Sequence, residues 1–431
     1  MLELILVLAA GILVGAIAGL LPALPVFTGP LILYYFVSDY YSVEYLLIFW
    51  LASYSGTQFF GSIATITTKI PGEESSAIYL ADIDHLNITQ KRNLLYDTAL
   101  GSWVASTLSL LFVWTVITFV GIEVFPQLLS MNVQLVIYAF AIVLFFFTGN
   151  NWIATAMLIT LGLFIGPRQN YALPDFWFES QQFFQGYTLY MVVLGTILIP
   201  ALTEKTAPLQ HIQKFGTIRS KGYSVLSGIK NSIIGAIAGL IPGPSASVAT
   251  AFAYKTGGNN RYKKILNAET ANNSAVITCS IPFFLLGLPI NQNTLLMSNI
   301  MDIQSIDIMY AILEPGMFGF RVIDTVIMCG LICMAVYFYL STHLIDLYSN
   351  LVQTLHDKMK WIVLILLLAL ISVDLQYAET TLFKYTILLA LFTVFGFILK
   401  HYNISAVPFL FALILADKII WLTIQTITIQ S

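Results

Sequence analysis

Charged side chains are scarce in this sequence of 431 residues, where Lys, Arg, Asp and Glu make up 10% of the chain. A soluble protein of this length needs a charged surface of roughly a quarter of its residues. Because 58% of the residues are hydrophobic, lipid must cover most of the exterior, and the sequence predicts an integral membrane protein. The formal net charge of −3 and the lack of any Lys/Arg run exclude a nucleic-acid-binding arm.

Cysteine is also rare, with three residues, Cys279, Cys329 and Cys333, in apolar surroundings. Their spacing indicates neither a disulfide framework nor a metal site, so we expect small buried core residues. Neither Lys nor Arg occurs before Lys69. A signal peptide needs a basic n-region, so residues 2–21 are predicted to form a retained first helix.

Signatures of enzymes are missing from the chain. It has no Gly-Lys-Ser/Thr phosphate loop, and so we do not expect it to hydrolyse ATP. The five histidines are scattered without metal-ligand spacing, and no nucleophile elbow occurs. The sequence therefore predicts a protein that is not an enzyme and that has no cofactor and no bound metal.

Apolar stretches of membrane-helix character recur along the whole chain, about seven in each half and about fourteen in all. We predict an all-α protein with a first transmembrane repeat over residues 1–204, a basic cytoplasmic linker over 205–222 and a second repeat over 223–431. The predicted elements are 2–21, 25–37, 43–60, 98–121, 131–147, 151–166, 187–203, 223–241, 244–256, 268–288, 311–341, 360–375, 381–399 and 404–428.

An internal repeat relates the two halves. Gly15-Ala-Ile-Ala-Gly-Leu-Leu-Pro22 recurs as Gly235-Ala-Ile-Ala-Gly-Leu-Ile-Pro242, with seven of eight residues identical, and Ser62-Ile63 recurs as Ser280-Ile281. Basic loops are expected on the cytoplasmic side, and equivalent loops of the two halves carry opposite charge. The pattern predicts two inverted-topology repeats, with both termini outside and the central linker inside.

Pro and Gly combine with Ser, Thr or Asn at four places inside the apolar stretches, and we expect broken helices there because freed backbone groups then face protein or a watery cavity. Helix ends inside the membrane attract anions, and freed carbonyl groups suit a cation. The breaks are predicted around Pro22, from Gly56 through Gly61-Ser62 to Ser76, around Pro242, and from Glu269 to Asn291. The predicted substrate-binding residues are Pro22, Thr28, Gly61, Ser62, Pro71, Gly72, Ser75, Ser76, Pro242, Gly243, Ser245, Ser247, Asn272, Asn273, Ser274, Pro289 and Asn291.

Three residues are candidates for binding a coupling ion, which the sequence leaves open as Na⁺ or H⁺: Glu73, Glu269 and Asn272. Structural alternatives remain for the same residues. The prolines and small residues also suit helix packing, Glu73 also suits a pair with Lys69, and Glu269 also suits the first turn of a helix. Arg321 and Asp324 are predicted to form an i,i+3 pair at the membrane edge.

The broken elements resemble the large membrane subunit of the tripartite tricarboxylate transporters of bacteria. The matching stretches are Gly19-Leu-Leu-Pro22, Tyr54-Ser-Gly56 through Gly61-Ser62-Ile63, Pro71-Gly72-Glu73 with Ser75-Ser76-Ala77, Gly239-Leu-Ile-Pro242-Gly243-Pro244, Glu269-Thr-Ala-Asn272-Asn273-Ser274, Ile281-Pro282 and Gly287-Leu288-Pro289. Their order and separations fit the family to about residue 290. The chain departs from it at Pro22-Ala23, where the family tends to have Pro-Gly, and at Ile290-Asn291, where it has Gly-Ser.

The resemblance implies uptake driven by an ion gradient across the bacterial inner membrane, a small four-helix membrane subunit and a periplasmic solute-binding protein. With the repeat and the broken helices, it predicts a multi-pass secondary transporter that imports small carboxylates of the tricarboxylate or dicarboxylate type. Two alternatives stay open at this point. One is a carboxylate transporter that acts without accessory subunits, and the other is a passive channel or membrane scaffold.

Overall fold

The computed structural model describes the chain mainly as ten long stretches and several short ones. These are residues 2–20, 42–68, 74–79, 82–83, 85–121, 151–166, 191–192, 194–202, 224–241, 245–303, 308–316, 319–343 and 381–402, with single positions and short pieces at 136, between 347 and 375, and between 404 and 423. The linker predicted at 205–222 lies outside these residues, as do most of the stretches predicted at 25–37, 131–147, 360–375 and 404–428.

The described elements are all helical, which confirms the predicted fold class at this level. The helices are α1 (Leu2–Leu20), α2 (Val43–Thr68), α3 (Ile88–Thr115), α4 (Trp152–Ile165), α5 (Ile199–Leu202), α6 (Ser224–Gly239), α7 (Ser245–Lys255), α8 (Arg261–Thr278), α9 (Ser280–Leu286), α10 (Gln292–Ile303), α11 (Ile308–Ala311), α12 (Val322–His343) and α13 (Leu382–His401). A 3₁₀ helix covers Glu74–Tyr79, and π-helical turns cover Val116–Gly121 and Leu194–Leu198. The β-type pairing found in the described residues is one isolated bridge, Pro315 with Arg321.

Four of the described helices are long and apolar enough to cross a membrane: Leu2–Gly19, Thr89–Val120, Val322–His343 and Leu382–His401. Each contains a long apolar run with few charged residues, which suits a helix that is surrounded by lipid. The total of about fourteen elements and the inverted orientation of the halves stay predictions.

Asparagine side chains start several of the helices. Asn87 accepts from the backbone N–H of Gln90, whose side chain accepts from Asn87 in return, and this capping box begins α3. Asn151 and Asn260 cap α4 and α8 in the same general way. Each cap satisfies backbone N–H groups that a helix start leaves without partners.

Glycines along α1 allow it to lie directly on α2. Gly11, Gly15 and Gly19 recur every four residues and face the α2 backbone, where a Cβ on Gly15 would lie 2.7 Å from the carbonyl oxygen of Ser53. Small residues at this spacing let two membrane helices approach closely. Gly56 is the α2 counterpart, since a Cβ there would come within 3.1 Å of the Cα of Gly15.

The repeated motif makes the same kind of contact in the second half. Gly235 and Gly239 on α6 face α8, where a Cβ on Gly235 would lie 2.7 Å from the carbonyl oxygen of Ala271. Ala271 follows Ser53 by 218 positions, the same separation as between Ser62 and Ser280. The two copies of the motif therefore pack on equivalent helices, α2 and α8.

Several of the predicted helix boundaries are wrong. Helix α3 begins at Ile88, well before the predicted start at residue 98. Helix α2 runs unbroken through Gly56, Gly61 and Ser62 to Thr68, so the predicted interruption from Gly56 to Ser62 does not occur. Gly56 serves close packing against Gly15 and Tyr337, which a continuous helix tolerates. The stretch predicted at 311–341 is not one helix either, because a turn containing Pro315 and Gly319 separates α11 from α12.

The break predicted from Glu269 to Asn291 begins later than expected. Helix α8 starts at Arg261 and continues to Thr278, so Glu269 lies in its interior and not in its first turn. The chain is interrupted at Cys279 and again at Gly287, whose φ of 59° lies in the left-handed region and ends α9. Helix α6, which also belongs to the second half, ends at Gly239, before Pro242.

Asp82 contacts the end of α7 and the start of α8. Its carboxylate accepts from the Tyr254 hydroxyl at 2.6 Å and lies 3.3 Å from Nε of Arg261. The expected pair of Arg321 with Asp324 is also present, at 2.8 Å. The three cysteines are free and buried, as expected.

Substitution of Gly235 tests the α6–α8 packing. We expect Gly235→Ala to lower the free energy of unfolding by about 1–3 kcal/mol, because its Cβ would overlap Ser274 and the backbone of Ala271. The measurement is the midpoint of thermal unfolding in detergent. Gly61→Ala is the matched control, since nothing lies within 4 Å of a Cβ there, and Ala favours a helix interior over Gly. Equal midpoints for the two variants would contradict this packing.

Candidate functional site

Helix α8 is buried throughout its last four turns although it carries many polar side chains. Every residue from Ile265 to Thr278 is buried. Six of these have polar groups in side chains that contact other helices: Asn267, Glu269, Asn272, Asn273, Ser274 and Thr278. Buried polar groups need partners, and the partners come from α2, α3 and α6.

A polar seam joins α8 to α2. The hydroxyl of Ser62 donates to Oε2 of Glu269, and Nδ2 of Asn272 donates to Oε1 of Gln58 at 3.2 Å. Residue numbers fall along α8 as they rise along α2, so the two helices are antiparallel. Glu269 is 2% exposed, and Ser62 and Gln58 are each 5% exposed.

Tyr54 continues the polar seam toward the end of α8. Its hydroxyl lies 3.9 Å from Sγ of Cys279 and accepts from Nδ2 of Asn291 at 3.3 Å. Tyr54 precedes Ser62 by eight residues on α2, a rise of about 12 Å. Asn291 also caps α10, since its Oδ1 accepts from the backbone N–H groups of Asn293 and Thr294.

Helix α3 contacts a second face of α8. Nδ2 of Asn273 donates to Oγ of Ser102 at 3.1 Å and to the carbonyl oxygen of Glu269 at 3.0 Å. Further along, the hydroxyls of Ser109 and Ser274 are 2.7 Å apart. The first half of the chain therefore supplies partners to α8 from two helices, α2 and α3.

Helix α6 also contacts α8 through hydroxyl and amide groups. Oδ1 of Asn267 accepts from Ser227 at 2.9 Å and from Asn231 at 3.1 Å. The hydroxyl of Ser274 donates to the carbonyl oxygen of Ser232, and that of Thr278 donates to the carbonyl oxygen of Gly235. These bonds join the repeated glycine motif of the second half directly to the polar helix.

The structure brings part of the predicted site together. Ser62, Glu269, Asn272 and Asn273 lie side by side at one end of the polar seam, and Gly61 precedes Ser62 on α2. Ser274 is one residue further along α8 but bonds to Ser109 and Ser232. Pro289 and Asn291 belong to the opposite end of the seam, beside Tyr54.

A second group of predicted residues lies around the start of α7. Ser75 and Ser76 are buried in the 3₁₀ helix, which contacts both α7 and α8. Ser245 is the buried first residue of α7, and Ser247 is half-buried in the same turn. These four residues share the region near α7, and the contacts above do not join them to Glu269.

Seven of the predicted site residues lie outside the described residues, and their positions remain predictions: Pro22, Thr28, Pro71, Gly72, Glu73, Pro242 and Gly243.

Sequence reasoning missed the hydroxyl groups of α3. Thr98, Ser102 and Ser106 recur every four residues, a spacing that places them on one helix face, and all three are buried. Ser109 extends the row. This spacing is visible in the sequence, but α3 has no Pro or Gly interruption of the kind that predicts a site.

The polar seam is richer in oxygen ligands than in free N–H donors. A carboxyl group, an amide oxygen and several hydroxyl groups meet near Glu269, whereas Nδ2 of Asn273 already donates to two acceptors. Oxygen ligands of this type bind hard cations. The seam is therefore chemically suited to binding a cation. An anion binds more favourably to the backbone N–H groups at the start of a helix.

A comparison with protein-family models matches residues 5–411 to the tripartite tricarboxylate transporter TctA family. The chain belongs to this family. The match covers nearly the whole sequence, and it confirms the resemblance that the glycine, proline and asparagine motifs carry. A search of curated proteins and a search of solved structures found no match.

Membership of the TctA family and the apolar helices together identify a membrane protein of a transporter family. Systems of this family are tripartite, which implies further subunits and a binding protein. The polar seam between α2 and α8 therefore lies in the interior of a TctA-family protein.

Loss of the Ser62 hydroxyl tests the bond to Glu269. We expect Ser62→Ala to reduce the free energy of unfolding by about 1.5–3 kcal/mol, the range for a hydrogen bond to a charged group. Ser53→Ala is the matched control on the same helix, because its hydroxyl bonds to the carbonyl oxygen of Trp50 within α2. Thermal unfolding in detergent measures both variants, and equal losses would exclude a special contribution from the Ser62–Glu269 contact.

Proposed function

We propose that this protein is the large permease subunit of a tripartite importer of small carboxylates in the bacterial inner membrane. It is a multi-pass secondary transporter, and an ion gradient drives uptake by symport. A periplasmic solute-binding protein delivers the substrate, and a small four-helix membrane subunit completes the system. Membership of the TctA family supports this assignment.

The observation that carries the proposal is the buried carboxyl group of Glu269. In this proposal the coupling ion binds at the polar seam, because an ionised carboxylate attracts a cation and repels a carboxylate substrate. Asn272 and Gln58 lie one turn along the same seam and hold its geometry. Glu269 is thus assigned to the ion and not to the anion.

The substrate carboxylate is assigned to the start of α7. A helix start presents unpaired N–H groups and a partial positive charge, which favour anions. Ser245 and Ser247 add hydroxyl donors in the first turn, and Ser75 and Ser76 lie on the neighbouring 3₁₀ helix. Separate sites for ion and substrate avoid placing two negative groups in contact.

The recurring contact of the glycine motif supports two related halves around these sites. Gly15 packs on α2 and Gly235 packs on α8 in equivalent ways, and the charge pattern of the loops favours opposite orientations. In an inverted-repeat transporter the substrate and ion sites lie between the halves. The Ser62–Glu269 contact joins the first half to the second in this manner.

Uptake of radiolabelled citrate and succinate into proteoliposomes tests the function. The vesicles contain this protein with its membrane partner subunit, and the binding protein is added outside. We expect accumulation that requires an imposed Na⁺ or H⁺ gradient and that ceases when an ionophore collapses it. Accumulation without the binding protein would favour a stand-alone transporter. Flux that is neither saturable nor gradient-dependent would indicate a passive channel and overturn the proposal.

Neutralisation of Glu269 tests its assignment within this function. We expect Glu269→Gln to reduce gradient-driven uptake at least tenfold, because the amide keeps the size of the side chain but cannot supply the negative charge. Glu314→Gln, at an exposed position before α12, is the matched control and should retain uptake. Normal uptake by Glu269→Gln, with the protein inserted and folded, would remove this residue from the coupling site.

A further inference from the structure

A small cavity lies between α2 and α3. Three hydroxyl-bearing residues line it, Ser62, Thr98 and Ser102, among apolar side chains such as Phe59 and Leu95. Its volume is about 10 Å³, which is space for about one water-sized sphere. Each of the three hydroxyl residues is at least 95% buried.

The hydrogen bonds of Ser62 and Ser102 leave acceptor capacity on both hydroxyl oxygens. The Ser62 hydroxyl uses its single proton as a donor, with Glu269 and the Gln58 carbonyl oxygen as acceptors. Its own oxygen therefore keeps acceptor capacity. Ser102 accepts one bond from Asn273 and has a second lone pair.

Thr98 provides the independent observation that a ligand belongs here. Its Oγ1 is fully enclosed and has no hydrogen-bond partner, although the side chain lines the cavity. A threonine in a helix can bond to the carbonyl oxygen one turn earlier, as Thr67 does with Ile63. A buried hydroxyl without a partner is unfavourable, so a ligand that coordinates Thr98 would remove that cost.

Charge selects the class of ligand. The carboxyl group of Glu269 accepts from Ser62, a residue of the cavity, and its negative charge attracts a positive one. The other ligands are neutral hydroxyl oxygens, which suit a hard cation. A cavity for one water-sized particle excludes a hydrated ion, so the ion must exchange its water for these oxygens.

We propose that this cavity binds a dehydrated Na⁺ ion through the hydroxyl oxygens of Ser62, Thr98 and Ser102, with Glu269 compensating its charge. The identification of this ion as the coupling ion rests on the proposed function, whereas the binding site itself does not. Thr98 and Ser102 are thereby ligands on α3, and the ion joins α2 and α3 to the carboxylate of α8.

The test is Na⁺-dependent thermal unfolding of the purified protein in detergent, without substrate. NaCl is titrated against choline chloride at constant ionic strength, with KCl in a parallel series. A ligand that binds the folded state raises the midpoint in a saturable way. We expect such a rise with Na⁺ and a smaller one or none with K⁺.

Thr98→Val is the decisive variant because it replaces the hydroxyl by a methyl group of nearly the same size. We expect it to raise the Na⁺ concentration for half-maximal stabilisation at least tenfold while the protein stays folded in choline. Thr67→Val is the matched control, since its hydroxyl bonds within α2 and it does not line the cavity. Ser102→Ala should also weaken Na⁺ binding, as Thr98→Val does.

Two results would overturn the inference. One is the absence of Na⁺-specific stabilisation in the unmodified protein, and the other is an unchanged Na⁺ titration in Thr98→Val, which would indicate a bound water molecule. Carboxylate uptake driven by H⁺ alone would leave the proposed function intact and show that this Na⁺ is not the coupling ion. Na⁺ binding that depends on Thr98 in a protein without carboxylate uptake would do the reverse.

Discussion

A carboxyl group enclosed within a bundle of membrane helices is the constraint on which the structure around it depends. Transfer of an ionised carboxylate from water to such an interior costs several kcal/mol of free energy unless other groups replace its hydration. Ser62 donates to Glu269, and Asn273 is bound to the Glu269 carbonyl and to Ser102. Because Ser62 lies on α2, the carboxyl group gains this partner only when the first half of the chain packs against α8.

Close packing of small residues makes that arrangement possible. Polar side chains as short as serine reach a neighbouring helix only when the backbones lie near one another, and glycine permits this approach. Gly235 brings α6 against Ala271 and Ser274, and Gly101 on α3 lies where a Cβ would be 2.9 Å from Oγ1 of Thr270. The glycines thus determine the separations, and the hydroxyl and amide groups then determine the hydrogen bonds.

The sequence predicts the membrane class, the repeated glycine motif and the polar character of Glu269, Asn272 and Asn273, because each depends on local composition or on comparison within the chain. It does not predict the continuity of α2. Glycine inside an apolar helix is compatible with a break or with close packing, and the choice depends on a neighbour, here Gly15 and Tyr337 beside Gly56. The partner of Glu269 lies 207 residues away along the chain, and no local pattern specifies such a pairing. The hydroxyl row from Thr98 to Ser106 was recognisable by its spacing alone.

The two halves share the glycine packing motif, but the carboxyl group of Glu269 has no charged counterpart at the equivalent position of the first half. At the separation of 218 residues that relates Ser53 to Ala271, Glu269 corresponds to Leu51, Asn272 to Tyr54 and Asn273 to Ser55. A symmetric pair of carboxylates would place two like charges in one core, where each would raise the cost of ionising the other. One carboxylate with neutral counterparts in the first half avoids this repulsion and leaves the site with a single charge to balance. The repeat therefore accounts for the packing of α1 on α2 and of α6 on α8, whereas the differences between the copies account for the chemistry.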